Sequence, residues 1–339
     1  MAVLRKVHSG QVTMGAAATS VTVTIAPVDT GKSWLEFGNR VNSEDPRTSQ
    51  IAGRITDSST LTFSRDASAA AVEITWYVVE FTSGVSVQRG STSVVTAGGT
   101  NVTISAVTLA TSWPTINLET PGSSYSADDH ISATLTSTTN LQLDVNTTNS
   151  SGTFYWQVIE FTGCTVEAGS TAFLSGDASK TQSITAVDLD KAWLVMSYRC
   201  DSGTSGTDLG RRMVRGRFTS TTELTFDRDV TGATVDVEWS VIEFTDDTTV
   251  QSGTQAFTTS ETLKNATITA VELAKTIAVT AGVYSFGGKA DIVGAGDQFG
   301  AGVFTLDLTT TTNLAMERGV TNSDTADIAW FHIKTRSLK

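Results

Sequence analysis

One nine-residue stretch, Ile74-Thr-Trp76-Tyr77-Val78-Val79-Glu80-Phe81-Thr82, is written four times along this chain. It returns as Phe154-Tyr155-Trp156-Gln157-Val158-Ile159-Glu160-Phe161-Thr162 and as Val237-Glu238-Trp239-Ser240-Val241-Ile242-Glu243-Phe244-Thr245. A degraded copy, Ile328-Ala329-Trp330-Phe331-His332-Ile333-Lys334-Thr335, stands near the end. Aromatic and β-branched side chains suit a pleated, half-buried surface. Side chains alternate faces, so Ile74, Trp76, Val78 and Glu80 share one face of a strand and Tyr77, Val79 and Phe81 the other. The residue after each Trp varies freely (Tyr77, Gln157, Ser240, Phe331), which predicts solvent or a loose contact there. Further along that face the side chains are apolar in three copies. The far end of the strand is therefore expected to be covered on both sides, by a loop or by a neighbouring unit. Burying an indole removes ~150–250 Å² from water, or ~4–6 kcal/mol gross at ~25 cal/mol/Å². Trp76, Trp156, Trp239 and Trp330, with Phe81, Phe161 and Phe244, are the expected repeat core.

Three further pieces recur in fixed order. Each unit opens on Val7-His-Ser-Gly10, Val87-Gln-Arg-Gly90, Val166-Glu-Ala-Gly169 or Val250-Gln-Ser-Gly253. A Val-x-Ile segment follows (Val23, Val102, and the matching Gln182 and Ala266), then a short polar hop and a strand beginning at Trp34, Trp113, Trp193 or Ile277. Leu61-Thr-Phe63, Leu141-Gln-Leu143, Leu224-Thr-Phe226 and Leu314-Ala-Met316 alternate apolar with polar, as a strand with one buried face does. These pieces predict an all-β chain of four tandem small antiparallel β-sandwich repeats, 1–84, 85–164, 165–247 and 248–339. No flexible Gly/Ser or Pro-rich spacer separates them. The array should be stiff, or folded into one compact cluster.

Charged residues make up 17% of the chain, and Thr and Ser fill the exposed strand faces instead. A net charge of −12 argues against a nucleic-acid binder, which needs an excess of Lys and Arg over phosphate. No apolar run reaches the length of a membrane helix. Residues 1–6 carry no signal-peptide pattern, so the expectation is synthesis in a host cytoplasm, with release inside a particle still open. Cys164 and Cys200 have no counterparts in other copies and read as unpaired thiols.

The units differ between the strand that opens on Trp or Ile and the Leu-x-Phe strand, and function tends to sit on such variable loops. The third loop leads into Arg211, Arg212, Arg215 and Arg217, the one dense positive patch. It either pairs with carboxylates of this acidic chain or docks on an acidic partner. The fourth loop, rich in Gly, carries Tyr284 and Phe286 as further candidate contacts. The Asp128-Asp129 pair and the Asp201 to Asp208 loop match no calcium-loop spacing and read as polar turns.

Catalysis is not indicated. His8, His130 and His332 are scattered and unique to their units. Glu80, Glu160 and Glu243 occupy one repeated position, with Lys334 in the fourth copy. That reads as a structural partner of cations or backbone N–H groups rather than a pair of glycosidase carboxylates. No phosphate loop, nucleophile elbow or metal spacing appears, so no cofactor is expected.

The Trp-x-Val-Ile-Glu-Phe stretch with Val-Gln-x-Gly after it resembles repeats in structural proteins of tailed-phage virions. It is loosely similar to β-sandwich modules of the H-type lectin kind. The resemblance spans the whole chain as four copies. It implies a non-enzymatic virion component such as a head decoration, a collar or fibre, or a tail-associated protein. Such a component would self-associate as a homo-oligomer and dock on other virion proteins. The alternative is a carbohydrate-binding adhesin whose partner is a host surface glycan.

Overall fold

The computed structural model describes residues 2–93, 95–120, 122–123, 127–148, 152–201, 206–282, 287–293, 299–321 and 324–335. The chain is all-β. In the first unit β1 (Val3–Met14), β6 (Val72–Ser83) and β3 (Ser33–Val41) form one antiparallel sheet in the order β1-β6-β3. β2 (Ser20–Thr24), β5 (Thr60–Ser64) and β4 (Ala52–Asp57) form the second, in the order β2-β5-β4. The repeated Trp stretch is β6, the central strand of its sheet. The same six strands, with the same partners, recur over 85–161, 164–244 and 249–334, and every named sheet stays inside one of these segments. The last unit adds Gly288–Ala290 to its Trp strand. Phe37 of the first sheet meets Phe63 of the second edge-to-face at 5.4 Å, so the two sheets face each other across each unit's core.

Between β5 and β6 the chain turns around a buried arginine. The Arg65 guanidinium donates to the carbonyls of Gly15, Ala18 and Ala70, Arg228 to those of Leu174, Asp177 and Ala233, and Arg318 to those of Thr258, Glu261 and Asp324. Five fixed donors on one planar group let a single residue tie several loop carbonyls together. The second unit has Val145 there, buried together with Val95.

The four units close into a ring. The second sheet of each unit lies against the first sheet of the next, and the fourth unit returns to the first. Gln157 grips the backbone of Leu35 with both amide atoms, at 3.0 Å each. Ser197 Oγ accepts from the Ala133 amide at 2.9 Å, and the Met196 amide donates to the Ala281 carbonyl at 2.8 Å. Tyr77 closes the circle: its hydroxyl donates to the Leu306 carbonyl at 3.2 Å and meets the Leu308 amide at 3.4 Å. Gly38 lies so close to the Phe304 carbonyl that an added Cβ would come within 2.5 Å of its oxygen. An arginine–carboxylate pair spans each junction: Arg54–Glu119, Arg199–Asp144, Arg215–Asp327 and Arg40–Glu317.

This arrangement corrects the expectation for the position after each Trp. Tyr77, Gln157, Ser240 and Phe331 are all buried, the most exposed at 9%. Their variety reflects four different junctions, because each meets a different neighbour.

Phe81, Phe161 and Phe244 meet at the centre of the ring. Phe81 and Phe244 each stand edge-to-face to Phe161 at 5.4 Å. Trp34, Trp113 and Trp193 repeat the pattern at 6.2 and 5.9 Å. Edge-to-face pairs set the positive rim of one ring against the negative face of the next. The fourth unit offers Ile277 and Thr335 at these positions, so the aromatic series covers three units of the four.

Candidate functional site

Each Trp strand is paired with an opening strand that carries Gly directly opposite the indole: Gly10 with Trp76, Gly90 with Trp156, Gly169 with Trp239 and Gly253 with Trp330. The indole lies across the bare backbone of that glycine. A Cβ at Gly10 would stand 2.7 Å from Trp76 Cζ2, and one at Gly169 or Gly253 2.5 Å from the same atom of its partner. Four copies of one surrounding therefore hold four indoles, each between 5% and 9% exposed.

Next to the Trp239 and Trp156 strands the described residues form clefts between units. The cleft between the second and third units has a volume of about 430 Å³. Leu109, Pro114 and Leu135 face Val195, Trp239 and Ser240 across it. Leu109 is 40% exposed at its mouth. Glu238 is the one ionisable side chain of its walls among the described residues. Burial raises the pKa of Glu238, against the lowering effect of its hydrogen bond with Thr134. The matching cleft between the first and second units, about 390 Å³, has Trp156 and Gln157 opposite Ile55. The Arg54 guanidinium lies over the Tyr155 ring there, 4.7 Å from its centroid. Concave apolar walls with a few polar groups are the usual setting for a ligand.

The sequence-predicted residues fall as follows. Trp76, Trp156, Trp239 and Trp330 line strand centres, and Phe81, Phe161 and Phe244 come together at the ring centre. Arg212 and Arg215 are 2% and 7% exposed, which removes them from any docking surface. Arg215 grips Asp227 at 2.7 and 3.0 Å, and Arg217 reaches the same carboxylate at 2.8 Å. Burial works to raise the Asp227 pKa, yet these cations and Lys289 hold it below the usual carboxylate value. Arg215 and Arg217 are thus neutralised at the junction of the third and fourth units. Arg211 has a partner as well. Tyr284 and Phe286 lie outside the described residues, as does most of the Asp201 to Asp208 loop.

The repeated carboxylates cap backbone. Glu80 accepts from the Asp29 amide at 2.9 Å, Glu160 from that of Thr108 at 2.9 Å and Glu243 from that of Asp188 at 2.8 Å. In the fourth unit the charges are exchanged: Lys334 reaches the Glu272 carboxylate at 3.3 Å. Glu80 also takes Arg5 at 2.8 Å, with His8 3.4 Å away. Cys164 and Cys200 are free and buried. Among the described residues no group of three or more metal-ligating side chains gathers, and no helix is long and apolar enough to cross a membrane.

The clefts were not legible beforehand, because they arise where two units meet. One signal was present in the sequence: Ser240 is the smallest of the four residues at its position, and Leu135 stands where the third unit has Phe218. No protein-family model matches this chain, and no curated protein is similar to it at a significant level.

Proposed function

We propose that this chain is a non-enzymatic structural component of a phage virion, which docks on capsid or tail proteins as a preformed ring. The observation that carries this reading is the closure through Tyr77 and Leu306, joining the first unit to the last. A closed ring with an aromatic centre loses little conformational freedom on docking, and that lowers the cost of association. The repeated carboxylates, the one feature that suggested hydrolysis, are engaged with backbone amides in all three copies that have them. Low charge and Thr/Ser-rich outer strands fit a protein that sits on a particle surface. The test is mass spectrometry and antibody-gold labelling of purified particles. The polypeptide is expected at a fixed stoichiometry per particle; its absence from particles, with the protein free in the lysate, overturns the reading.

A second reading, a carbohydrate-binding module, is favoured by the cleft that combines Tyr155, Arg54 and Trp156. Stacking faces beside hydrogen-bonding groups suit a sugar ring. A glycan array with the intact chain tests it, and Tyr155→Ala should abolish any signal found.

A further inference from the structure

The four junctions are built from equivalent parts and filled differently. In the closing junction the Tyr77 ring reaches the edge strand of the fourth unit, and its hydroxyl meets Leu306 and Leu308. Between the third and fourth units the Phe331 ring stands edge-to-face to Phe218 at 6.2 Å. Between the first and second, Gln157 fills part of the space with its amide. Between the second and third the same position is Ser240, opposite Leu135, and the cleft of about 430 Å³ remains.

The strand registers make the correspondence explicit. Leu306 and Leu308 pair with Met316 and Leu314, as Ala133 and Leu135 pair with Leu143 and Leu141. Ala133 and Leu135 are therefore the counterparts of the two residues that receive the Tyr77 hydroxyl, and both line the cleft. We infer that the cleft between the second and third units is a receptor for an aromatic side chain, a tyrosine above all, presented by a partner polypeptide. The incoming ring completes this junction as Tyr77 and Phe331 complete theirs from within the chain. Its face would lie among Leu135, Pro114 and Val195, and its hydroxyl would meet the Ala133 carbonyl and the Leu135 amide. Charge agrees: the lone carboxyl group of Glu238, on a chain of net charge −12, disfavours anionic ligands and accepts a neutral or basic peptide.

This site rests on the reading of the chain as a docking component, and its test is independent of particle association. The intact chain is titrated with p-cresol, the tyrosine side chain as a free molecule, and with methyl β-D-glucopyranoside. Binding is followed by tryptophan fluorescence and two-dimensional NMR. Saturable p-cresol binding is expected, with shifts centred on Ser240 and Leu135. Ser240→Tyr, which supplies the ring from the chain itself, should weaken that binding at least tenfold with its melting temperature unchanged or raised. Leu135→Phe, which copies Phe218, should weaken it likewise and covers the case of a poorly folded first variant. Absence of saturable p-cresol binding overturns the inference. So does equal binding by the wild-type chain and a folded variant, or a glucoside that displaces p-cresol at equal concentration. If p-cresol binds as expected but particles lack the protein, the receptor stands and the virion reading falls.

Discussion

Trp239 lies across Gly169 of the neighbouring strand, with no room between the indole and the backbone for a methyl group. Gly169→Ala should therefore destabilise by ~1–3 kcal/mol, the usual cost of overpacking. Gly176 provides the control, since an added Cβ there meets nothing within 4 Å. Urea unfolding of both variants checks this. The midpoint should fall for Gly169→Ala and stay within error of wild type for Gly176→Ala.

At the junction of the third and fourth units, Asp227 gathers Arg215, Arg217 and Lys289. The cluster is partly buried, and Asp229 and Asp327 also face its cations, so removing Asp227 costs its charge-assisted hydrogen bonds, ~1.5–3 kcal/mol. Asp227→Ala should lose about that much. A double-mutant cycle with Arg215→Ala should show a strong coupling, the double variant being far less damaged than the sum of the singles. Because the folded-state pKa of Asp227 is held low, its contribution is present above the unfolded carboxylate value near 3.8 and is lost as pH falls through the folded one.

The strands and their repetition were readable because period-2 alternation and a fourfold text are properties of the chain alone. The variable position after each Trp was misread for a physical reason. Free variation looks like exposure when one surface meets water four times, but here one surface meets four different neighbours. Tyr77 answers Leu306, Gln157 answers Leu35, Phe331 answers Phe218, and Ser240 shares a cleft with Leu135. The Arg211 to Arg217 patch was legible as charge, but its neutralisation depended on Asp227, which the register of two strands sets opposite Arg215, and on Asp327, which lies close only after the units have docked. Gly10, Gly90, Gly169 and Gly253 were visible as a repeated motif. Their reason, an indole directly opposite, needed the register between two distant strands.

His130 and His332 are neutral inside the fold. Burial pushes the His130 pKa down to about 3, with the nearby Arg212 charge adding to it, and burial alone pushes that of His332 to about 4. Above pH 6.5 neither state binds a proton at these groups, so they leave stability unchanged. Below it the unfolded chain takes up protons that the fold refuses, and stability falls with falling pH. Each histidine should contribute a loss of ~1–2 kcal/mol between pH 6.5 and 5, from ~1.4 kcal/mol per pH unit. His332→Val restores the residue of the other three copies and removes one of the two contributions. Urea midpoints measured across that interval should show a visibly shallower slope for the variant.

Glu36 acts in the opposite direction. It borders a small axial chamber of about 40 Å³ whose walls come from all four units. Its Oε1 has no hydrogen-bond partner among the described residues, and burial pushes its pKa up to about 8. Below pH 4.5 the group is neutral in both states. As pH rises towards 8 the unfolded chain releases a proton that the fold retains, so stability declines. Glu36→Gln should match wild type near pH 4.5 and exceed it by ~1–3 kcal/mol at pH 8, the scale of an unsatisfied buried polar group. A variant that shows the same pH dependence as wild type would refute this.

Closure of the ring sets the size of the cooperative unit. Tyr77 and Leu35 are each 3% exposed, and Val41 2%, with the fourth unit supplying neighbours to Tyr77 and Val41. Residues 1–247 alone would retain all strand pairings of three units and lose this cover. Were the units independent beads, that fragment would melt at the temperature of the intact chain. With the junction face as apolar as Tyr77 and Val41 make it, the fragment should bind a hydrophobic dye, melt well below the intact chain and tend to associate. The intact chain should unfold in a single calorimetric transition, with van't Hoff and calorimetric enthalpies in agreement. Three or four resolved transitions, or an unchanged melting temperature for the fragment, would mean that the ring contacts carry no cooperativity.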